Sequence, residues 1–563
     1  MDRRTVLAVV LMAIVIVGTQ ILFPSRRAVP SAKDTALVVN TTPTANATTS
    51  AATTAQTPTA PALARTRAES LAAATPLPQQ PASVTVLATP KAEYSLRSPG
   101  AAPTQVRIPS YRPLTPGADR STGVILRSSA NELLSYHLVR GADTVALDTI
   151  PFVVSQSGSS VTFQSPIITL TYKAAGDNYR AEVRGTVPNA PPGSLLLIGL
   201  PATVQSVEAD TVDDRRHLAY GYKRPLRDVE SVSFSKLDSL RPRVDTGAMQ
   251  WVTARTKYWL VALMSPVGST DSTPAFRGLV TRGGKYLGKV AQTAIAQTAY
   301  PLKGDQIAFD IYAGPQSWEQ LHALGNDLEN VNPYAGFMHA VVQPFATIVM
   351  RTLLWMKNTF RVNYGWVLVI FGVVIRLALW PLNQKAMRSS IAMQRLQPEL
   401  TEIQRKYKDD REKQQQAMMK LYAAHGMSPL SPMLGCLPML LPTPVLFALY
   451  FVFQNTIEFR DVPFLWLPDI SLRDPYFIMP VLMGASMFLL SWIGMRGTPP
   501  NPQAKMMSYM MPVMFVFFFF NLAAGLNLYY FVQNIAALPQ QLLLTRERAK
   551  ANIPAPKPVG VKT

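Results

Sequence analysis

Cysteine is almost absent from this chain: among 563 residues only Cys436 carries a thiol. No intrachain disulfide can form, and a cysteine-built metal cluster or a Cys-x-x-Cys redox site lacks the residues it needs. Charge is scarce too. Asp, Glu, Lys and Arg make up 16% of the residues, against about 25% in an ordinary soluble protein. Catalytic signatures are missing: there is no G-x-S-x-G elbow, no H-E-x-x-H zinc motif and no P-loop. These absences exclude a disulfide scaffold and a simple cytosolic enzyme. What is abundant is apolar. Hydrophobic residues reach 48% and gather into long runs in the carboxyl half, while the formal net charge is +20. At roughly 100–200 residues per domain, several domains are expected. The basic excess could serve nucleic acid, anionic lipid or membrane orientation, and its position decides among them.

Residues 1–24 read as a transmembrane anchor. Arg3 and Arg4 precede an uncharged run from 5 to 23, near the roughly 20 residues a helix needs to cross a bilayer. The rival reading is a cleaved secretory signal. The run ends Gln20-Ile21-Leu22-Phe23-Pro24 without a small-x-small cleavage site, which favours an uncleaved anchor. The two arginines keep the amino terminus cytoplasmic by the positive-inside tendency. Residues 25–82 are mostly Ala, Thr, Pro, Ser and Gln. Such a composition buries too little apolar surface to offset ordering entropy, and reads as a flexible linker.

From 83 to 330 the pattern is that of a periplasmic β-sandwich domain. β-branched runs at 83–87, 123–126, 151–154, 161–172, 194–200, 232–234, 251–264 and 306–312 alternate with turn signals at 157–160, 176–178 and 283–284. His137 and His217 are isolated, with no second metal ligand at helical or hairpin spacing. A helix is expected over 317–328, where Leu321, Leu324 and Leu328 share a face. Residues 331–361 then hold an amphipathic interfacial helix, with Phe345, Ile348, Val349 and Leu353 on one side.

Residues 362–545 form the core, with five spanning candidates at 366–382, 434–453, 476–492, 506–520 and 526–544. With the anchor, the expected fold is a multi-domain α-helical membrane protein of six transmembrane helices. Both termini are then cytoplasmic. The loop 383–431, rich in Lys and Arg, falls inside and reads as a helical hairpin: Leu396, Leu400, Ile403 and Tyr407 line one helix, Asp409-Asp410 turns, and Met418, Leu421 and Tyr422 line the return. The basic tail 546–563 also falls inside. The outside loop 455–475 has more acids than bases.

One ionised side chain, Arg376, lies within the five spans, and no Asp, Glu or His does. An arginine there costs about 2.5–3.5 kcal/mol on insertion scales, so it must face water, a partner or a cavity, or snorkel along its stem. Without an acid in the spans, a carboxylate proton relay loses its parts. Thr443, Asn527, Gln533 and Asn534 could line the same groove or glue helices together, and Tyr529 and Tyr530 could be groove wall or interfacial anchors. Methionines crowd two span entrances, Met506, Met507, Met510, Met511 and Met514 at one and Met418, Met419, Met427, Met433 and Met439 at the other. Flexible Met suits promiscuous apolar binding, and equally a plain core or lipid face.

These features meet in a resemblance. Ile375-Arg376-Leu377 followed by Trp380-Pro381-Leu382, the stretch 393–398, Ser428-Pro429-Leu430 before Gly435-Cys436-Leu437-Pro438, the stretch 444–450, Asp474-Pro475-Tyr476, and Gly525 through Tyr529-Tyr530 to Gln540-Gln541 together resemble the YidC family of membrane-protein insertases. The resemblance extends to the order of anchor, linker, exported β domain, interfacial helix and core. It implies a hydrophilic groove open to cytoplasm and lipid, with Arg376 as its arginine and Tyr530 as a substrate-contacting tyrosine. It implies nascent membrane proteins as clients, work alone or beside the Sec translocon, contact with ribosome and phospholipid bilayer, and no DNA, cofactor or metal. Two positions depart: one often polar is Gly372 here, and a glutamine common in the next span is Pro442, beside Thr443. The expected function is therefore a non-enzymatic insertase of the inner membrane. The competing reading is a transporter of an anionic solute with Arg376 as counter-ion, which inverted repeats would mark.

Overall fold

The computed structural model describes residues 82–550 apart from 129–131, 177, 269–273, 289, 333–338, 385–395, 409, 425–442 and 497–501. The expected anchor, linker, hairpin approach, first half of the 434–453 span and end of the tail lie outside the described residues.

The β-rich part is antiparallel. A nine-stranded sheet runs in the order Glu230–Ser233, Ala219–Lys223, Trp251–Arg255, Trp259–Met264, Gln306–Pro315, Arg180–Thr186, Thr169–Ala175, Ser160–Gln164 and Val153–Ser157. A six-stranded sheet runs Arg243–Met249, Phe276–Gly283, Ala294–Pro301, Leu195–Gly199, Ser135–Arg140 and Asp143–Ala146. Successive side chains of a strand point to opposite faces, and in Thr169–Ala175 Leu170 and Tyr172 are buried while Lys173 is exposed. The inner faces of the two sheets meet. Tyr172 donates to Tyr136 across them at 3.0 Å, and the Phe309 ring lies 5.6 Å from Tyr300 and 6.2 Å from Phe276. This is a sandwich. A four-stranded sheet of Ser83–Ala88, Glu93–Ser98, Ala102–Ile108 and Val124–Arg127 joins it through Tyr94, whose hydroxyl donates to the Tyr179 carbonyl and accepts from Ala313 N.

Two apolar runs resolve into pairs of strands. The run 161–172 breaks where Ser165 Oγ accepts from Ile168 N at 3.2 Å, a side-chain turn that Pro166 favours. The run 251–264 is a hairpin turning at 256–258, closed by Thr256 N donating to the Trp259 carbonyl at 2.9 Å. The expected helix over 317–328 is shorter. It spans Trp318–Leu324 and stops at Gly325, whose φ of 77° is left-handed.

Helices are numbered here as α1 Thr211–Arg216, α2 Trp318–Leu324, α3 His339–Phe360, α4 Tyr364–Ala378, α5 Gln397–Lys406, α6 Arg411–Ala424, α7 Thr443–Asn455, α8 Ile478–Met495, α9 Pro502–Phe519 and α10 Ala524–Lys550. α10 is the hub, packing against α8, α4 and α7; α9 packs on α8, and α3 on α7. α3 buries Ala346, Met350 and Leu353 while Ile348 and Trp355 are exposed, and it meets α4 at a bend of 117°. Among the described residues, α8 alone is by length and composition long and apolar enough to cross a membrane; α3 and α4 pass that test only as a bent pair, and Val445–Asn455 and Ser508–Phe519 are shorter apolar helices. α5 and α6 contact each other on either side of 407–410, where the hairpin was expected.

Candidate functional site

Arg376 lies in the last turn of α4 and is half-buried. Its Nη2 donates to Gln540 Oε1 on α10 at 3.0 Å, and Gln540 Nε2 donates onward to the Trp380 carbonyl at 3.0 Å. Among the described residues no carboxylate pairs with Arg376, and its Nε is sealed from solvent without an acceptor. A guanidinium presents five donors and cannot shed its charge. The side chain therefore keeps donors to spend on something other than its own protein.

α4 reaches α10 closely because Gly372 lets it. A Cβ there would stand 3.1 Å from Val532 Cγ1 and 3.6 Å from Tyr529 Cδ2. Glycine at this position thus belongs to a tight helix contact. The Phe371 and Tyr529 rings, 5.9 Å apart, continue that contact.

The other expected groove residues fall into separate places. Gln533 donates to the Tyr529 hydroxyl at 2.9 Å within α10, on the stripe that ends at Gln540. Asn534 turns the other way and donates to Ser486 Oγ on α8 at 3.0 Å. Asn527 is fully buried near the start of α10, its Nδ2 facing the carbonyls of Phe519 and Ala523 at 3.3 and 3.4 Å. Tyr530 is half-buried, its ring 5.4 Å from Phe519 and 5.6 Å from Tyr529. Thr443 begins α7, and its side chain lies outside the described residues. The structure brings Arg376, Tyr529, Gln533 and Gln540 along the α4–α10 contact and leaves Asn527 and Asn534 away from it. Gln540 was not singled out for this role. Its signal was spacing, since 529, 533 and 540 follow the i, i+4, i+11 pattern of one helix face.

The far end of α4 packs against aromatic rings of the α7–α8 loop. The Trp366 and Phe464 rings are 5.5 Å apart, and Phe453 and Phe459 are 4.5 Å apart. Gly365 leaves no room for a Cβ against the Phe464 ring. Asp474, fully buried, accepts from Tyr476 N at 3.0 Å and Met479 N at 2.6 Å, capping the start of α8.

Two family models match the chain: a 60Kd inner membrane protein over residues 355–551 and a YidC periplasmic domain over residues 89–348. They define the class, an inner-membrane protein with a periplasmic β-rich domain and a helical carboxyl part. The membrane protein insertase YidC of Anaeromyxobacter dehalogenans (strain 2CP-C) is 32% identical over 418 residues, 72% of either chain. That of Citrifermentans bemidjiense is 31% identical over 395 residues, 69% of either chain. A crystal structure of an active YidC insertase with its first transmembrane domain resolved aligns over 82% of this chain and 94% of its own, at 19% identity and a TM-score of 0.33. The chain belongs to the YidC membrane protein insertase family.

Proposed function

We propose that this protein inserts newly made proteins into the inner membrane without nucleotide hydrolysis, through a hydrophilic groove that includes Arg376. The observation that carries this is the state of Arg376: a charge on an apolar helix, hydrogen-bonded to a neutral amide, with an unpartnered Nε. A client's polar segment supplies the missing acceptors at membrane depth. That offsets part of the cost of carrying it through lipid. Burial of about 20 apolar residues, at about 0.8 kcal/mol per CH₂, then drives the client's span outward between α7 and α9. Thr443, Tyr530, Gln533, Asn527 and Asn534 complete the proposed groove or hold its walls. This is binding work, and it needs no reacting centre.

The proposed topology has six spans, an anchor at 1–24, a linker at 25–82 and a cytoplasmic hairpin at 383–431, with both termini cytoplasmic. Its orientation is supported by the loop between α7 and α8, which meets the β domain directly through Arg460 and Glu208. The loop then lies on the periplasmic side, and the 383–431 segment and tail on the other. Clients reach the groove from the ribosome, with the Sec translocon or without it.

Photo-crosslinkers at positions 376, 443 and 530 during synthesis of a small membrane protein test the reading. Labelling of the nascent span is expected at all three. Labelling of a soluble anion alone, with no nascent chain captured, would overturn it in favour of transport.

A further inference from the structure

The segment from Asn455 to Ser471 does more than join α7 to α8. Arg460 is buried, its side chain 1% exposed, and its Nε donates to Glu208 Oε2 at 2.7 Å. Its Nη2 donates to the Arg112 carbonyl at 2.8 Å. Trp259 Nε1 occupies the other oxygen of Glu208 at 2.7 Å, and the Arg460 guanidinium stands 5.4 Å from the centre of the Trp259 ring. Glu208, Arg112 and Trp259 all belong to the β domain. The hairpin turn that carries Trp259 is itself anchored, for Lys257 Nζ pairs with Asp213 at 2.9 Å. Two further contacts flank the ion pair. Asn332 Nδ2 donates to Asn455 Oδ1 at 2.8 Å with both residues buried, and Ile457, 2% exposed, belongs to the hydrophobic cluster of the β domain.

An exposed ion pair between two bodies would contribute little. A buried pair is different. Desolvation of both charges is repaid only by complete geometry, and removing one partner strands the other in a dry site. Here both oxygens of Glu208 are used, the Arg460 fork reaches a second acceptor, and an apolar side chain of the loop completes the neighbouring core. The loop is held as an interior element of the β domain.

We propose that Glu208, Arg460 and Ile457 are positioning residues that key this loop into the β domain, so that the domain fixes the loop-bearing ends of α7 and α8 for insertion. The functional half rests on the insertase reading; the structural half does not. The full-length protein in lipid nanodiscs would be compared by hydrogen exchange with Glu208→Gln, Arg460→Gln, the double variant and Arg460→Lys, with insertion of a small membrane protein measured in parallel.

In either Gln single variant, exchange over 455–471 and 256–259 should rise at least tenfold, while strands Gln306–Pro315 and Arg180–Thr186 keep their protection. Insertion should fall at least threefold. The double variant should be no worse than the worse single, and Arg460→Lys, which keeps the charge but loses the fork, should fall between wild type and Arg460→Gln. Should the Gln variants unprotect those strands as well, Ile457→Ala decides by the same two readouts, without touching charge. Unchanged loop exchange overturns the key. Faster loop exchange with undiminished insertion overturns the positioning role and leaves the insertase reading standing. Failure of wild type itself to insert the client would instead count against that reading.

Discussion

Gly365 and Gly372 lie two turns apart on α4 and are held by different neighbours. At 365 an added Cβ would enter the Phe464 ring, with Cε2 2.7 Å away; at 372 it would press on Val532 Cγ1 at 3.1 Å. A buried aromatic ring yields less than one methyl. Gly365→Ala should therefore destabilise the protein by about 1–3 kcal/mol, the usual range for overpacking, and Phe464→Leu should restore most of the loss in a thermal melt. Glu458 offers a second residue-scale test. Its Oε2 is sealed without a partner, and burial raises its carboxyl from 4.5 to about 7, with Glu319 adding in the same direction against the opposing bonds from Ser317 and the Trp318 backbone. Tyr111 and Tyr364 also face it. A raised carboxyl binds its proton more tightly in the folded state. Its contribution is fully present below about pH 4.5 and is lost as pH rises to 7. At about 1.4 kcal/mol per pKa unit the upper limit is about 3 kcal/mol. Glu458→Gln should flatten this part of the curve, so that the melting temperature of the variant relative to wild type rises between pH 5 and pH 8. An unchanged difference would refute the assignment.

Helices and strands carried unequal signals. Arg376 was legible because a lone charge in an apolar run has few physical resolutions. Gln540 was not, because the amides at 533, 534, 540 and 541 look alike until the partner helix is known. The merged runs 161–172 and 251–264 failed for a related reason: their turns are built from Ser165-Pro166 and Thr256-Lys257-Tyr258, embedded among strand-forming residues without a glycine. Strands such as Phe276–Gly283 escaped notice because a bulge at Gly278 shifts the buried set from Phe276 to Leu279 and Thr281, so no period of two runs the length of the strand. Between elements, the Asn534–Ser486 bond joins α10 to α8. Interhelical bonds of this type average about 0.6 kcal/mol in membrane proteins, with a maximum near 1.7. A double-mutant cycle of Asn534→Leu and Ser486→Ala should give a coupling within that range. A value near zero would mean that the bond does not hold the two helices.

At the scale of the whole molecule, the two matched family regions meet at a common boundary, with residues 348 and 355 marking their adjoining ends. The break between α3 and α4 lies just beyond it, where a half-exposed apolar helix turns through 117° into the arginine-bearing one. The proposed topology can be tested with the single native cysteine removed. In a Cys436→Ser background, Leu465→Cys, at an exposed site in the α7–α8 loop, should react with an impermeant maleimide added to spheroplasts. Arg496→Cys, just after α8, should react only after the membrane is opened. The reverse pattern would invert the assignment.

Ile457 has a consequence for biogenesis. The strands that surround it end at Pro315, so translation completes them well before the isoleucine that fills their cluster has been made. The core of the earlier half is thus complete only once the later half has been synthesised, and a chain truncated after residue 330 should be digested faster in a pulse-chase than the complete chain.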